Sequence, residues 1–110
     1  MAEPLGRAET RALLDRHGIR LRLDLGQHFM VEPNLVRRIV EIAGGGPGSQ
    51  VVEIGAGAGT LTRALAASGA RVIAYEIDES LRPVLAETVG DAAEVRFADA
   101  AAVDFAAALP

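Results

Sequence analysis

The stretch Glu53-Ile54-Gly55-Ala56-Gly57-Ala58-Gly59 constrains this chain more than any other. A short apolar run, Val51-Val52-Glu53-Ile54, reads as a strand that enters it. Thr60 to Ala67 reads as the helix that leaves it, with Leu61, Ala64 and Leu65 turned inward and Gly69 as the stop. Glycines at a strand-to-helix turn permit positive φ and let a ligand come close to the backbone. The first N–H groups of the helix lack intrahelical acceptors and remain free to donate. The turn therefore has the form of a nucleotide or cofactor loop, although glycine-rich turns of this kind also occur without a ligand.

Spacing narrows the chemistry. A dinucleotide fingerprint places glycine at positions 1, 3 and 6. Here glycines stand at 55, 57 and 59, and the sixth position is Thr60. A P-loop needs a lysine, and the chain has none. Gly-x-Gly-x-Gly with an acid two residues upstream is the methyltransferase form, which takes S-adenosylmethionine. Glu76 ends the next strand, Val72-Ile73-Ala74-Tyr75-Glu76, and can accept both hydroxyls of a ribose. Asp99 ends a third strand, Val95-Arg96-Phe97-Ala98, and can accept from an adenine amine. Asp78 and Glu79 read as helix-capping acids. Glu53 has two readings: it binds the amino group of the cofactor, directly or through water, or it braces the loop.

Strands alternating with helices imply right-handed βαβ units and a parallel sheet, so the fold class is α/β and Rossmann-like. Residues 8–17 read as a short helix stopped by Gly18, Arg20 to Leu25 as an extended segment, and Gly26 to Met30 as a loop. A helix starts near Pro33 with Val36, Ile39, Val40 and Ala43 as its buried stripe. Residues 79–89 form another, with Leu81, Val84 and Leu85 on one face; Pro83 must lie in its first turn, or the helix starts later. The tail from Ala100 to Pro110 is alanine-rich, anchored by Val103 and Phe105. Three strands are half of a doubly wound sheet. The expected division is an N-terminal extension and cofactor-covering loop over 1–30, and a partial methyltransferase domain over 31–110.

The 110 residues allow at most one domain. With no cysteine there is no disulfide framework, thiolate metal site or cysteine nucleophile, which fits a reducing cytoplasm. His17 and His28 lack metal-ligand spacing, so no metal is expected. No apolar run is long enough to cross a bilayer, and the N-terminus has no signal-peptide core, so no membrane association is expected. The net charge of −4 is unevenly spread. Residues 1–38 carry seven Arg and five acids, whereas 39–110 carry four Arg and ten acids. A basic front can meet phosphates, or can be an ordinary solvated helix face.

With Gly26-Gln27-His28-Phe29-Met30 placed ahead of this loop, the chain resembles the ribosomal RNA adenine dimethyltransferase family. That family typically has Gly-Gln-Asn-Phe-Leu, then Glu-Ile-Gly-Pro-Gly-x-Gly-x-Leu-Thr, a strand ending Glu-x-Asp, and an Asp-Ala after the third strand. The matches here are Gly26-Gln27-x-Phe29, Glu53-Ile54-Gly55-x-Gly57-x-Gly59-Thr60-Leu61-Thr62, Glu76-Ile77-Asp78 and Asp99-Ala100, in unbroken order over roughly residues 20–105. The departures are His28 for Asn, Met30 for Leu, Ala56 for the loop proline and Ala98 for glycine.

The resemblance implies that His28 and Met30 line the methionine end of S-adenosylmethionine, while Gly55 contacts its backbone, Glu76 the ribose and Asp99 the adenine. It implies an enzyme that methylates the exocyclic amine of adenine in ribosomal RNA, most simply that of the small subunit. The family's catalytic tetrapeptide, Asn-Leu-Pro-Tyr, would follow a fourth strand. The chain ends at Pro110 before it, so no residue of 1–110 is expected to be a chemical catalyst. Little activity, and association through the open edge of Val51–Ile54, are expected of the isolated segment. Arg7, Arg11, Arg20 and Arg22 would lie near the RNA entrance. The rival readings are another S-adenosylmethionine methyltransferase sharing the loop, a nicotinamide-dependent oxidoreductase, and a non-catalytic rRNA-binding assembly factor.

Overall fold

A computed structural model of the chain describes residues 6–19 and 32–102. The extended segment and loop expected over 20–30, with His28 and Met30, and the anchors Val103 and Phe105 lie outside the described residues. In chain order the elements are α1 (Arg7–Arg16), α2 (Pro33–Ile42), β1 (Gln50–Ile54), α3 (Thr60–Ala67), β2 (Arg71–Glu76), α4 (Arg82–Thr88) and β3 (Glu94–Phe97). A 3₁₀ turn, Glu79–Leu81, precedes α4, and another, Ala100–Ala102, follows β3.

The strands form one parallel sheet in the order β1-β2-β3. Register aligns Glu53 with Ala74, Ala74 with Val95, and Glu76 with Phe97, so all five share a face. Two right-handed crossovers that step the same way across a sheet put both helices on the same side. Accordingly, Ala74, Val95 and Phe97 pack with Leu81, Val84 and Leu85 of the α4 region and with Leu13 of α1. Val51 and Val72, on the same face, pack with Leu65 of α3 and Val40 of α2. All four helices thus lie over the face that carries Glu53 and Glu76.

Local chemistry sets the element ends. Glu32 caps α2 by accepting from the Asn34 N–H at 3.0 Å, ahead of Pro33. Along α2, Val36 is fully buried and Ile39 and Val40 are half-buried, but Ala43, expected inward, is exposed at the C-cap. There the helix gives way to Gly44, at φ +73°. Pro83 sits in the first turn of a helix that begins at Arg82, and the 3₁₀ turn supplies Leu81 to the core. Asp78 caps that turn through the Ser80 N–H, as its capping role required. In α3, Leu65 is buried and Leu61 and Ala64 half-buried, while Thr60 and Thr62 are buried as well.

Candidate cofactor-binding site

The strand-to-helix loop sits at the C-terminal ends of β1 and β2. Gly55, Gly57 and Gly59 all have positive φ, at +82°, +58° and +88°. The Gly55 and Ala56 N–H groups both donate to the Tyr75 carbonyl, at 2.8 and 3.1 Å, which pins the start of the loop to β2. The glycines serve different purposes. A Cβ built on Gly55 would meet nothing within 4 Å, so this glycine faces open space. A Cβ on Gly59 would collide with Thr88 Oγ1 and stand 2.9 Å from Val89 Cγ2 and 3.1 Å from Leu85 Cδ2. Gly59 therefore lets α4 close on the back of the loop, and Thr88 Oγ1 secures that contact by donating to the Ala58 carbonyl at 2.9 Å.

Two carboxylates lie beneath this loop. Glu76 is only 4% exposed. Its Oε1 accepts from the Gly57 N–H at 2.8 Å and its Oε2 from the Asp78 N–H at 3.0 Å. Each oxygen retains acceptor capacity beside its amide. Phe97 shares the face with Glu76 one strand away, and the Arg82 guanidinium lies 4.1 Å over its ring.

Glu53, at the end of β1, is 8% exposed and accepts from Thr62 Oγ1 in the first turn of α3. Burial pushes the Glu53 carboxyl up to about 7; the Thr62 hydrogen bond opposes that rise and the nearby Glu76 carboxylate adds to it. Of its two sequence readings, this geometry displays the brace: the bond ties the strand before the loop to the helix after it. Thr62 was not singled out from the sequence. The signal available was its place three residues before Leu65, on the same helical face.

Asp99 is exposed beyond β3; its Oδ1 accepts from the Ala101 N–H at 3.0 Å and shapes the following 3₁₀ turn. The structure thus brings Gly55, Glu76 and Asp99 to the C-terminal edge of one sheet, where open α/β sheets take ligands. Carboxylate acceptors in this arrangement can take the hydroxyl and amine donors of an adenosyl group. Among the described residues, no group of three His, Cys, Asp or Glu could hold a metal, and no helix is long and apolar enough to cross a membrane.

Residues 18–108 match the family model described as ribosomal RNA adenine dimethylase. A Deinococcus radiodurans protein named ribosomal RNA small subunit methyltransferase A is 50% identical over 101 residues, which is 91% of this chain and 35% of that protein. The chain spans about a third of the length of the curated relatives it matches. Among solved structures, the 23S rRNA methyltransferase ErmE superposes with a TM-score of 0.58 at 36% identity, covering 70% of this chain and 32% of that one. The N-terminal domain of EvdMO1, with SAH (S-adenosyl-L-homocysteine) bound, gives a TM-score of 0.54 at 28% identity, over 68% of this chain and 33% of that one.

Proposed function

The chain belongs to the ribosomal RNA adenine dimethylase family, and on that premise we propose that it carries the S-adenosylmethionine-binding part of an enzyme that methylates the exocyclic amine of adenines in small-subunit ribosomal RNA. One observation carries the cofactor reading: the buried Glu76 carboxylate holds both the Gly57 and the Asp78 amides and keeps acceptor capacity beside the open space at Gly55. The methyl donor supplies an activated methyl group on a positively charged sulfur. The work of this chain is to hold that donor. Glu76 accepts from the ribose hydroxyls, Gly55 lets the donor lie close against the backbone, and Asp99 accepts from the adenine amine. His28 and Met30 line the methionine end.

The adenine amine is a weak nucleophile because its lone pair is delocalised into the ring. Methyl transfer therefore needs the amine held in line with the methyl group and its hydrogens accepted. In this reading the described acceptors at the loop are already taken, the spare capacity of Glu76 by the ribose hydroxyls. Glu53 is buried and engaged with Thr62, and Glu76 is engaged with two amides. The acceptors for the amine hydrogens are assigned to the part of the relatives that this chain does not span.

Calorimetric titration of the intact protein tests the reading. S-adenosylmethionine and S-adenosylhomocysteine are expected to bind and NAD is not; tight NAD binding without S-adenosylmethionine would overturn it. Transfer of labelled methyl groups to adenines of small-subunit rRNA tests the substrate. Binding of that RNA with no methyl transfer would point to an assembly role instead.

A further inference from the structure

Glu53 and Thr62 close a clamp across the base of the glycine loop. The strand before the loop and the helix after it are joined through one buried hydrogen bond, and Glu76 stands on the same sheet face of the neighbouring strand. Among the described residues no ion pair reaches Glu53. The charged group acting on it is Glu76 from β2, while α3 presents the neutral Thr62 hydroxyl. Among the described residues, the floor of the loop is thus a pair of carboxyls with no cation between them. A ligand that brings positive charge onto the loop would supply what this pair lacks.

We infer that Glu53 is a proton-linked positioning residue: it holds a proton while the loop is empty, and it releases that proton when a cationic cofactor settles on the loop. The inference rests on the S-adenosylmethionine reading above and adds a charge preference to it. The bond to Thr62 survives both states, because the hydroxyl donates to a carboxyl or to a carboxylate oxygen alike. What changes is the charge under the loop, from the single negative charge of Glu76 to two. Burial places the Glu53 carboxyl at about 7, so the exchange falls where a modest change in local charge moves it. S-adenosylmethionine carries a sulfonium, whereas S-adenosylhomocysteine carries a neutral thioether. Ionised Glu53 therefore favours the methyl donor over the spent product.

The test is calorimetry of both ligands on the intact protein between pH 6 and 8, in buffers of different ionisation enthalpy, so that the protons released on binding are counted. Binding of S-adenosylmethionine should release up to about one proton and tighten with pH, by about tenfold for each unit by which the bound cation lowers the Glu53 pKa. S-adenosylhomocysteine should release fewer protons. Glu53→Gln keeps an acceptor for Thr62 but holds no proton, so the protons released from Glu53 should be lost and the difference between the two ligands should narrow to that set by Glu76 and by the ligands' own amino groups. Titration of the amino group of the ligand itself is common to protein and variant and cancels in that comparison. Thr62→Val removes the bond that stabilises the carboxylate, and should move the linkage to higher pH. Proton release that is equal for both ligands, or unchanged in Glu53→Gln and Thr62→Val, would overturn the inference. A protein that binds neither ligand at any pH would instead remove the cofactor reading on which it rests.

Discussion

Glu53 and Glu76 stand on adjacent strands, face the same side of the sheet and are both nearly inaccessible to water. Their partners differ. Glu76 receives two backbone N–H groups, one on each oxygen, which is the arrangement that stabilises a buried carboxylate. Glu53 receives one hydroxyl and meets the charge of its neighbour, and its carboxyl rises to about 7. Backbone amides fixed by a turn are donors that cannot rotate away, whereas a single hydroxyl donates to the neutral carboxyl as well as to the carboxylate and offsets only part of the cost of burial. The glycine loop and the turn after β2 thus each give Glu76 a fixed amide, whereas among the described residues no such amide reaches Glu53, which leaves it free to change its proton content.

The largest effect expected from breaking this contrast is on Glu76. Removing its carboxylate in Glu76→Ala loses the ribose acceptors and frees the Gly57 amide. Cofactor affinity should fall by about 1,000-fold, given about 1.5–3 kcal/mol for each hydrogen bond to a charged group; a loss below about tenfold in a binding titration would show that the ribose is held elsewhere.

Glu53 should show its difference in stability. Its carboxyl is protonated in the folded chain up to about pH 7, against 4.5 for an ordinary glutamate. Its contribution is fully retained below about pH 4.5, falls as pH rises through that window, and above about pH 7 the fold is weaker by about 3 kcal/mol. Glu53→Gln has no proton to lose. Urea denaturation should find it more stable than the parent at pH 8, by up to about 3 kcal/mol, with the gain vanishing near pH 4. A variant less stable than the parent at pH 8 would mean that Glu53 is held ionised.

Thr62→Val sharpens the same comparison. It should cost about 1–2 kcal/mol of stability, and more at pH 8 than at pH 5, because the lost bond is stronger to a carboxylate than to a carboxyl. The smallest effect belongs to the loop between the two acids. Gly55→Ala meets no neighbour, so the cost in folding should be limited to about 1 kcal/mol for its left-handed φ. The added methyl group enters the space assigned to the cofactor, so affinity should suffer more than stability.

Much of this was legible in the sequence. The bounds of α3 follow from the glycines on either side, and the late start of α4 from Pro83, which cannot sit deeper in a helix. Glu76 and Asp99 were placed by the rule that strand ends face the ligand. The misreadings share a cause. Ala43 was counted into the stripe of α2 by periodicity alone, but the helix ends before it. Thr62 was passed over because an apolar stripe is sought among apolar residues, while its burial answers a polar partner on another strand. The loop glycines were read as sharing one common purpose, whereas the helix that needs Gly59 lies some thirty residues further on, beyond the reach of a local pattern.

That last contact ties two distant positions into one evolutionary unit. Any side chain at 59 claims the volume held by the Thr88 hydroxyl, so a relative that has lost the glycine should have a smaller residue than threonine at 88. The reverse need not follow. Where Gly59 is kept, position 88 is limited by its bond to the Ala58 carbonyl, and serine would satisfy that. Covariation between the two columns should therefore be one-sided, with change at 59 demanding change at 88 far more often than the converse.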